Sequence, residues 1–230
     1  MEHRVALVLT THTKLGDTGR PTGFWYEELA APFYTFVDAG HAVEVFVVGP
    51  GAAEPDPLSL TAEGGRGPIV DRFLNDPIAI GKLQNAEGLD ALSRTSFDAI
   101  FLVGGHGAMW DFPTSRTLCA VVGDYFDRGA VVAAVCHGPA GLVEARGASG
   151  APIVKGRQAT GFTNAEEEAV GLTAVVPFLL EDRLREAGAI FQNKAPFCAH
   201  AVRDGNLVTG QNPQSSALAA QLVLEGLRHA

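Results

Sequence analysis

The stretch Ala130-Val-Val-Ala-Ala-Val-Cys-His-Gly-Pro-Ala-Gly-Leu-Val143 constrains the fold more than any other. Its apolar, β-branched run (Val131, Val132, Val135) predicts a buried strand. The run stops at Cys136-His137, and Gly138-Pro139 then opens a helix, because proline suits the first helical turn. A strand that turns this sharply into a helix holds the turning residue strained and exposed, as in a nucleophile elbow, where a neighbouring backbone N–H can face a developing oxyanion. The helix N-terminus beyond it favours negative charge, which predicts a Cys136 thiolate of lowered pKa. A cysteine considered alone is more often an inert core residue; strand, turn and helix in this order favour a nucleophile.

The remaining sequence repeats the alternation of strand-like and helix-like segments, the mark of an α/β protein with a mostly parallel sheet. Strands are expected near Arg4–Leu9, Val43–Val48, Ala99–Val103, Ala130–Val135 and Leu207–Thr209, with weaker ones near Ala189–Gln192 and His200–Arg203. Helices are expected near Phe24–Ala39, Thr114–Arg128, Pro139–Ala145, Pro177–Ala187 and Pro213–Leu227. Gly40, Gly129 and Gly188 follow helical patterns where a C-terminal cap belongs. The segment Gly49–Gly67, rich in Pro, Gly and small residues, predicts a long surface loop with folded patterns on both sides, so one domain spanning residues 1–230 is expected.

Three further stretches carry candidate chemistry. On the first helix, Trp25, Leu29, Pro32, Phe33 and Phe36 share one face, and Glu28 lies on the shoulder of that face. Partial desolvation there raises a carboxyl pKa toward neutrality, unless the side chain snorkels to water. Pro32 removes the N–H that would have bonded the Glu28 carbonyl, so a kink is expected. Next, Gly104-Gly-His-Gly follows an apolar strand, at the sheet edge where α/β folds bind ligands. The glycines let backbone approach a substrate, and an N–H here can complete an oxyanion hole with that of His137. On its own spacing, His106 is better read as bonding its loop than as catalytic. Finally, in Thr160-Gly-Phe-Thr-Asn-Ala-Glu-Glu-Glu168 an acid can orient His137 as the third member of a Cys-His-acid set. The same stretch also reads as a short helix capped by Thr163 or Asn164, and both readings can hold together.

Bulk properties narrow the function class. A net charge of -9 without a basic cluster argues against nucleic acid or an anionic membrane as partner. No apolar run has the length of a signal or a membrane span, so a cytoplasmic location is the default expectation. Cys119, Cys136 and Cys198 lack metal-ligand spacing and, being three, make a poor disulfide framework. Cys119 is expected in the core and Cys198 in a structural role.

Taken together, the chain resembles the ThiJ/PfpI superfamily, whose fold is like that of class I glutamine amidotransferases, and most of all its glyoxalase III and heat-shock chaperone-type subgroup. The resemblance rests on five motifs in order: Thr22-Gly-Phe-Trp-Tyr-Glu-Glu-Leu29 with Pro32, Gly104-Gly-His-Gly-Ala-Met-Trp-Asp111, Val135-Cys-His-Gly-Pro139, Thr160-Gly-Phe162 followed by glutamates, and Thr209-Gly-Gln-Asn-Pro-Gln-Ser-Ser216. It implies a doubly wound, mostly parallel sheet flanked by helices, flavodoxin-like, and a homodimer. It also implies Cys136 as nucleophile, His137 beside it, Glu28 as the carboxylate close to the sulfur, and Glu167 as triad acid with Glu166 as its rival. Gly105 and His137 would supply oxyanion N–H groups, and His106 and Trp110 would line the pocket. The late His-Glu motif of glutamine amidotransferases is absent, which argues against a glutaminase.

The activity so implied is cofactor-independent and metal-free conversion of methylglyoxal-type 2-oxoaldehydes to 2-hydroxy acids. Two other classes fit the same cysteine: an amidase or peptidase-type hydrolase, and a non-enzymatic stress chaperone or redox sensor.

Overall fold

The computed structural model describes residues 2–228. Its strands are β1 (Arg4–Leu9), β2 (Ala42–Val47), β3 (Glu87–Gly88), β4 (Ala99–Leu102), β5 (Val131–Val135), β6 (Gln158–Ala159), β7 (Ile190–Phe191), β8 (Ala201–Asp204) and β9 (Leu207–Gly210). Its α-helices are α1 (Tyr26–Asp38), α2 (Pro68–Leu74), α3 (Pro77–Gln84), α4 (Leu89–Arg94), α5 (Ala108–Asp111), α6 (Arg116–Asp127), α7 (Ala140–Val143), α8 (Asn164–Ala169), α9 (Leu180–Glu186) and α10 (Ser216–Leu227).

Seven strands make one sheet in the order β3-β2-β1-β4-β5-β9-β8. Every pairing in it is parallel except that of β8 with β9, while β6 and β7 form a separate parallel pair. The uninterrupted apolar runs of β1, β4 and β5 have their cause here: from Val5 to Leu9, and throughout β4 and β5, every residue is buried, as strands covered on both faces must be. Helix α1 packs against α10, and α6 against α4 and α7. From β1 the chain winds outward through β2 and β3, then returns to β4 and winds the other way. Right-handed crossovers in opposite directions place the two helix groups on opposite faces. The reversal between β1 and β4 is the switch point beside which such sheets bind ligands, at the carboxyl ends of the strands.

The expected strands form with ends shifted by one or two residues. Other elements differ. The stretch from 57 to 94 carries a 3₁₀ turn, Pro57–Leu60, and three short helices. These helices have six to eight residues each, too few for a periodic pattern to stand out, and two of them announce themselves only by a proline in the first turn. The Gly49–Gly67 segment is therefore no plain loop: Asp56 caps its 3₁₀ turn, bonds Thr22 Oγ1 at 2.8 Å and is buried. The helix expected over Pro139–Ala145 shrinks to α7, four residues long. No helix among the described residues is long and apolar enough to cross a membrane.

Candidate active site

At the end of β5 the backbone of Cys136 adopts a left-handed conformation, φ 58°, which costs free energy for any residue with a side chain. Three backbone hydrogen bonds hold it there: Cys136 N–H to Gly210 O at 3.0 Å, Phe162 N–H to Cys136 O at 2.9 Å, and Gly138 N–H to Val135 O at 2.7 Å. The elbow is thus pinned from β9, from the segment before α8 and from its own turn.

The loop after β4 and the first helix converge on it. A side chain at Gly104, just past β4, would run into the Glu28 carboxyl, Val135 O and the His137 N–H. Only glycine lets the β4 loop, the first helix and the elbow meet at this point. At Gly105, φ is +106° and a side chain would strike the Gly23 carbonyl. Neither Gly105 N–H nor His137 N–H donates to a backbone carbonyl among the described residues, and the His137 N–H lies close enough to the Cys136 sulfur to favour its thiolate.

His137 Nδ1 lies 3.3 Å from Cys136 Sγ, and its Nε2 lies 2.9 Å from Glu167 Oε2. The carboxylate can only accept, so the proton sits on Nε2, and Nδ1 turns a lone pair to the sulfur. The other oxygen of Glu167 accepts from His106 Nε2, also at 2.9 Å. One carboxylate therefore joins two imidazoles whose ring centroids are 4.1 Å apart. His106 bonds across to α8 rather than within its own loop. Burial opposes a charge on Glu167, but the two histidines outweigh it and hold the carboxyl at about 2. Burial, with His106 nearby, lowers the His137 pKa and keeps that ring neutral.

Adjacent Glu166 points elsewhere. Its Oε2 accepts from Thr163 N–H and Oγ1 in a capping box, which identifies Thr163 as the cap of α8. Its Oε1 accepts from Phe197 N–H, Gln211 Nε2 and Asn212 Nδ2. Glu167, not Glu166, reaches His137.

Glu28 is fully buried rather than on a shoulder, because nearly the whole of α1 from Glu28 to Tyr34 is covered. Burial pushes its pKa well above the usual carboxylate range. The Cys136 thiol and the Gly104 N–H lie close enough to oppose that shift, yet neither is aligned as a full hydrogen bond, and both carboxyl oxygens lack a protein partner. Burial decides the balance, as expected for an orphaned carboxyl. The same burial, and then the Glu28 carboxyl, push the Cys136 thiol up. This reverses the expected lowering. A helix of one turn has little dipole to offer, and desolvation of the thiolate outweighs it.

Cys136 is strained as expected but not exposed: the elements that pin the elbow also cover it, leaving it 3% exposed, although it still lines a cavity of about 290 Å³ together with Gly105, His106 and His137. Leu15, Trp25, Phe162, Leu172 and Phe197 supply apolar wall, and Arg20, Glu27 and Glu63 supply charge. His106, His137 and Glu167 offer three ligand atoms within 4.8 Å of one another, but a cation there would displace the two N–H groups that now bond the carboxylate.

With this geometry in hand, comparison with known proteins is direct. The family model described as DJ-1/PfpI matches residues 22–225. The chain belongs to the DJ-1/PfpI family. Among DJ-1/PfpI relatives, glyoxalase 3 of Candida albicans is 30% identical over 96% of this chain and 97% of its own length. The glutathione-independent glyoxalase HSP31 of Saccharomyces cerevisiae is 30% identical over 98% of each. Among solved structures, the Rapid Encystment Protein 24 KDa of Francisella tularensis has a TM-score of 0.92 at 35% identity, covering 99% of both chains.

Within this DJ-1/PfpI site the placement of Trp110 needs correction. It lies on α5, stacked on His12 with centroids 5.0 Å apart and planes 7° from parallel, and it lines a different cavity with Met109, Cys119 and Phe178. Its place on the wall of the Cys136 cavity is taken by Trp25, which the sequence pattern puts only on the apolar face of the first helix. Cys119 is half-buried at that second cavity, not in the core, and Cys198 is exposed. Phe197 was also missed, since nothing in Asn193-Lys-Ala-Pro-Phe-Cys-Ala-His200 signals a turn inward.

Proposed function

We propose that this protein is a glutathione-independent glyoxalase that converts small 2-oxoaldehydes such as methylglyoxal to 2-hydroxy acids, with Cys136 as nucleophile. The observation that carries the reading is Glu28, a buried carboxyl without a partner set against a thiol that opens on a cavity. Acyl hydrolysis needs a nucleophile, a base and an oxyanion hole. It does not need a second, desolvated acid. Moving a proton from carbon to oxygen does. The glyoxalase names of the relatives from Candida albicans and Saccharomyces cerevisiae support the same activity.

The resting site holds neutral thiol, neutral Glu28, neutral His137 and anionic Glu167. As Sγ bonds to the aldehyde carbon, the thiol proton passes to His137 Nδ1 and the Glu28 proton passes to the aldehyde oxygen, giving a hemithioacetal. The Glu28 carboxylate then takes the hydrogen from that carbon while His137 protonates the ketone oxygen, and the carbon pair becomes an enediol. Glu28 returns its proton to the former ketone carbon, His137 takes the proton of the first hydroxyl, and a thioester results. Water attacks with Glu28 as base, the C–S bond breaks, and His137 protonates the departing sulfur. One carbon is oxidised and its neighbour reduced, so only water is added. Glu167 stabilises the imidazolium each time it forms, and the N–H groups of Gly105 and His137 face the oxyanions.

The test is conversion of methylglyoxal to lactate without glutathione, followed by NMR. Cys136→Ser is expected to lower kcat/KM by about 10³-fold or more; full turnover by that variant would end the proposal.

A further inference from the structure

Apart from Cys136, one other described residue with a side chain has left-handed backbone: Phe197, φ 60°. Both line the same cavity. A bulky aromatic residue is a poor occupant of this conformation, which glycine or asparagine would take more easily. It persists because its surroundings impose it. Phe197 N–H donates to Glu166 Oε1 at 2.7 Å, and Asn212 Nδ2 donates both to that oxygen at 2.8 Å and to Cys198 O at 2.9 Å. Gln211 Nε2 donates to the same oxygen at 3.1 Å, and Gln211 Oε1 accepts from Lys194 N–H at 2.9 Å. Glu166 itself is wholly buried. One oxygen of Glu166 caps α8 through Thr163, and the other gathers three donors that hold the Phe197 loop against that helix.

That loop presents the Phe197 ring, 40% exposed. The ring lies 6.3 Å from Phe162 at 64°, and Phe162 lies 4.5 Å from the His137 ring. An aromatic file thus runs outward from the catalytic imidazole. A dicarbonyl bearing only a methyl group is too short to meet a ring two such spacings away, and it would leave much of a 290 Å³ cavity to water. Glu27 and Glu63, facing a lone Arg20, make the remaining lining unwelcoming to an anionic substituent.

Building on the glyoxalase reading, we propose that Phe197 is the specificity-determining residue of this cavity, that Glu166 positions it, and that the favoured substrates are 2-oxoaldehydes carrying a flat apolar group, an aryl ring, on the ketone carbon. A ring there packs edge-to-face or offset against Phe197 and Phe162.

The experiment compares phenylglyoxal with methylglyoxal, with kcat and KM resolved for each. Wild type is expected to show the higher kcat/KM with phenylglyoxal, and Phe197→Ala to lower the phenylglyoxal-to-methylglyoxal ratio about tenfold, chiefly through KM for the aryl substrate. Glu166→Gln should move the ratio in the same direction, and Phe197→Tyr should keep it. A variant that merely loses folded protein lowers both rates alike and leaves the ratio unmoved, so the ratio separates positioning from damage. A ratio unchanged in Phe197→Ala, or a wild type that prefers methylglyoxal, overturns the assignment to Phe197 while leaving a glyoxalase. A wild type that turns over neither aldehyde refutes the glyoxalase reading and this inference with it.

Discussion

The inner end of the site and its rim are built on different principles. At the inner end, Cys136, His137, Glu28 and Glu167 are at most 3% exposed and project from strand ends and helices locked by backbone hydrogen bonds. At the rim, Leu58, Gly64, Gly65 and Phe197 come from loops far apart in sequence, shaped by side chains such as Asp56 and Glu166 acting as struts. The inner end carries groups that are costly to bury and held in place, which is how a site keeps reacting groups preorganised. The rim carries groups that only need a shape. The difference teaches that one set can be changed for chemistry and the other for substrate choice.

Glu28→Gln strains the comparison hardest. Loss of the acid proposed to shuttle protons is expected to cost about 10²- to 10⁴-fold in kcat, while near neutral pH the fold gains stability, because glutamine, unlike Glu28, has no ionisation that favours the unfolded chain. The pH dependence has a definite sign. Glu28 keeps its proton in the folded state above the value of 4.5 at which an unfolded glutamate loses it. Its favourable balance is complete below 4.5 and is lost as the pH rises through the folded pKa. Wild type should therefore lose Tm relative to Glu28→Gln from pH 5 toward pH 9, read by thermal melts across that range. Parallel curves would show that Glu28 is already charged and paired.

Neighbouring glutamates give the second contrast. Glu167 is held at about 2 against 4.5 unfolded, so its contribution is present above 4.5 and is lost as the pH falls toward 2. Glu167→Gln should flatten the wild-type loss of stability over this acid range, followed by urea midpoints, and lower kcat about 10- to 100-fold by freeing His137. If stability falls over that acid range as steeply in the variant as in wild type, the carboxylate is not what the two histidines hold.

The inner end was largely legible in the sequence, and the rim was not. An apolar run that stops at Cys136 announces strand and elbow, and Gly104-Gly105 marks a close approach, because strand burial and glycine both leave local traces. The depth at which Glu28 is buried left none; it depends on Gly104, on another element altogether. For the same reason the thiol was expected to be acidic, when desolvation sends it the other way. Choosing between Glu166 and Glu167 required the donors on Gln211 and Asn212, some 45 residues away. Phe197 was invisible because a left-handed aromatic has no sequence mark. Trp110 was expected at the pocket from the resemblance alone; it follows His106 by four residues, but α5 carries it to another cavity.

Trp110 also supplies the smallest expected effect and the sharpest control on where the rim ends. Its indole stacks on His12 and its edge lies 3.7 Å from where a side chain on Gly16 would begin. It therefore braces the segment that carries Leu15 and Arg20 to the cavity without lining the cavity itself. Trp110→Phe keeps a ring in that stack. It should cost up to about 1 kcal/mol of stability through the poorer aromatic contact and leave kcat/KM for methylglyoxal within about twofold of wild type, since changes outside a site rarely alter its reacting geometry. Steady-state kinetics beside a urea melt decide the matter. A large fall in KM-linked activity with an unchanged melt would return Trp110 to the substrate cavity, and the boundary between the two cavities would have to be redrawn around the His12–Trp110 stack.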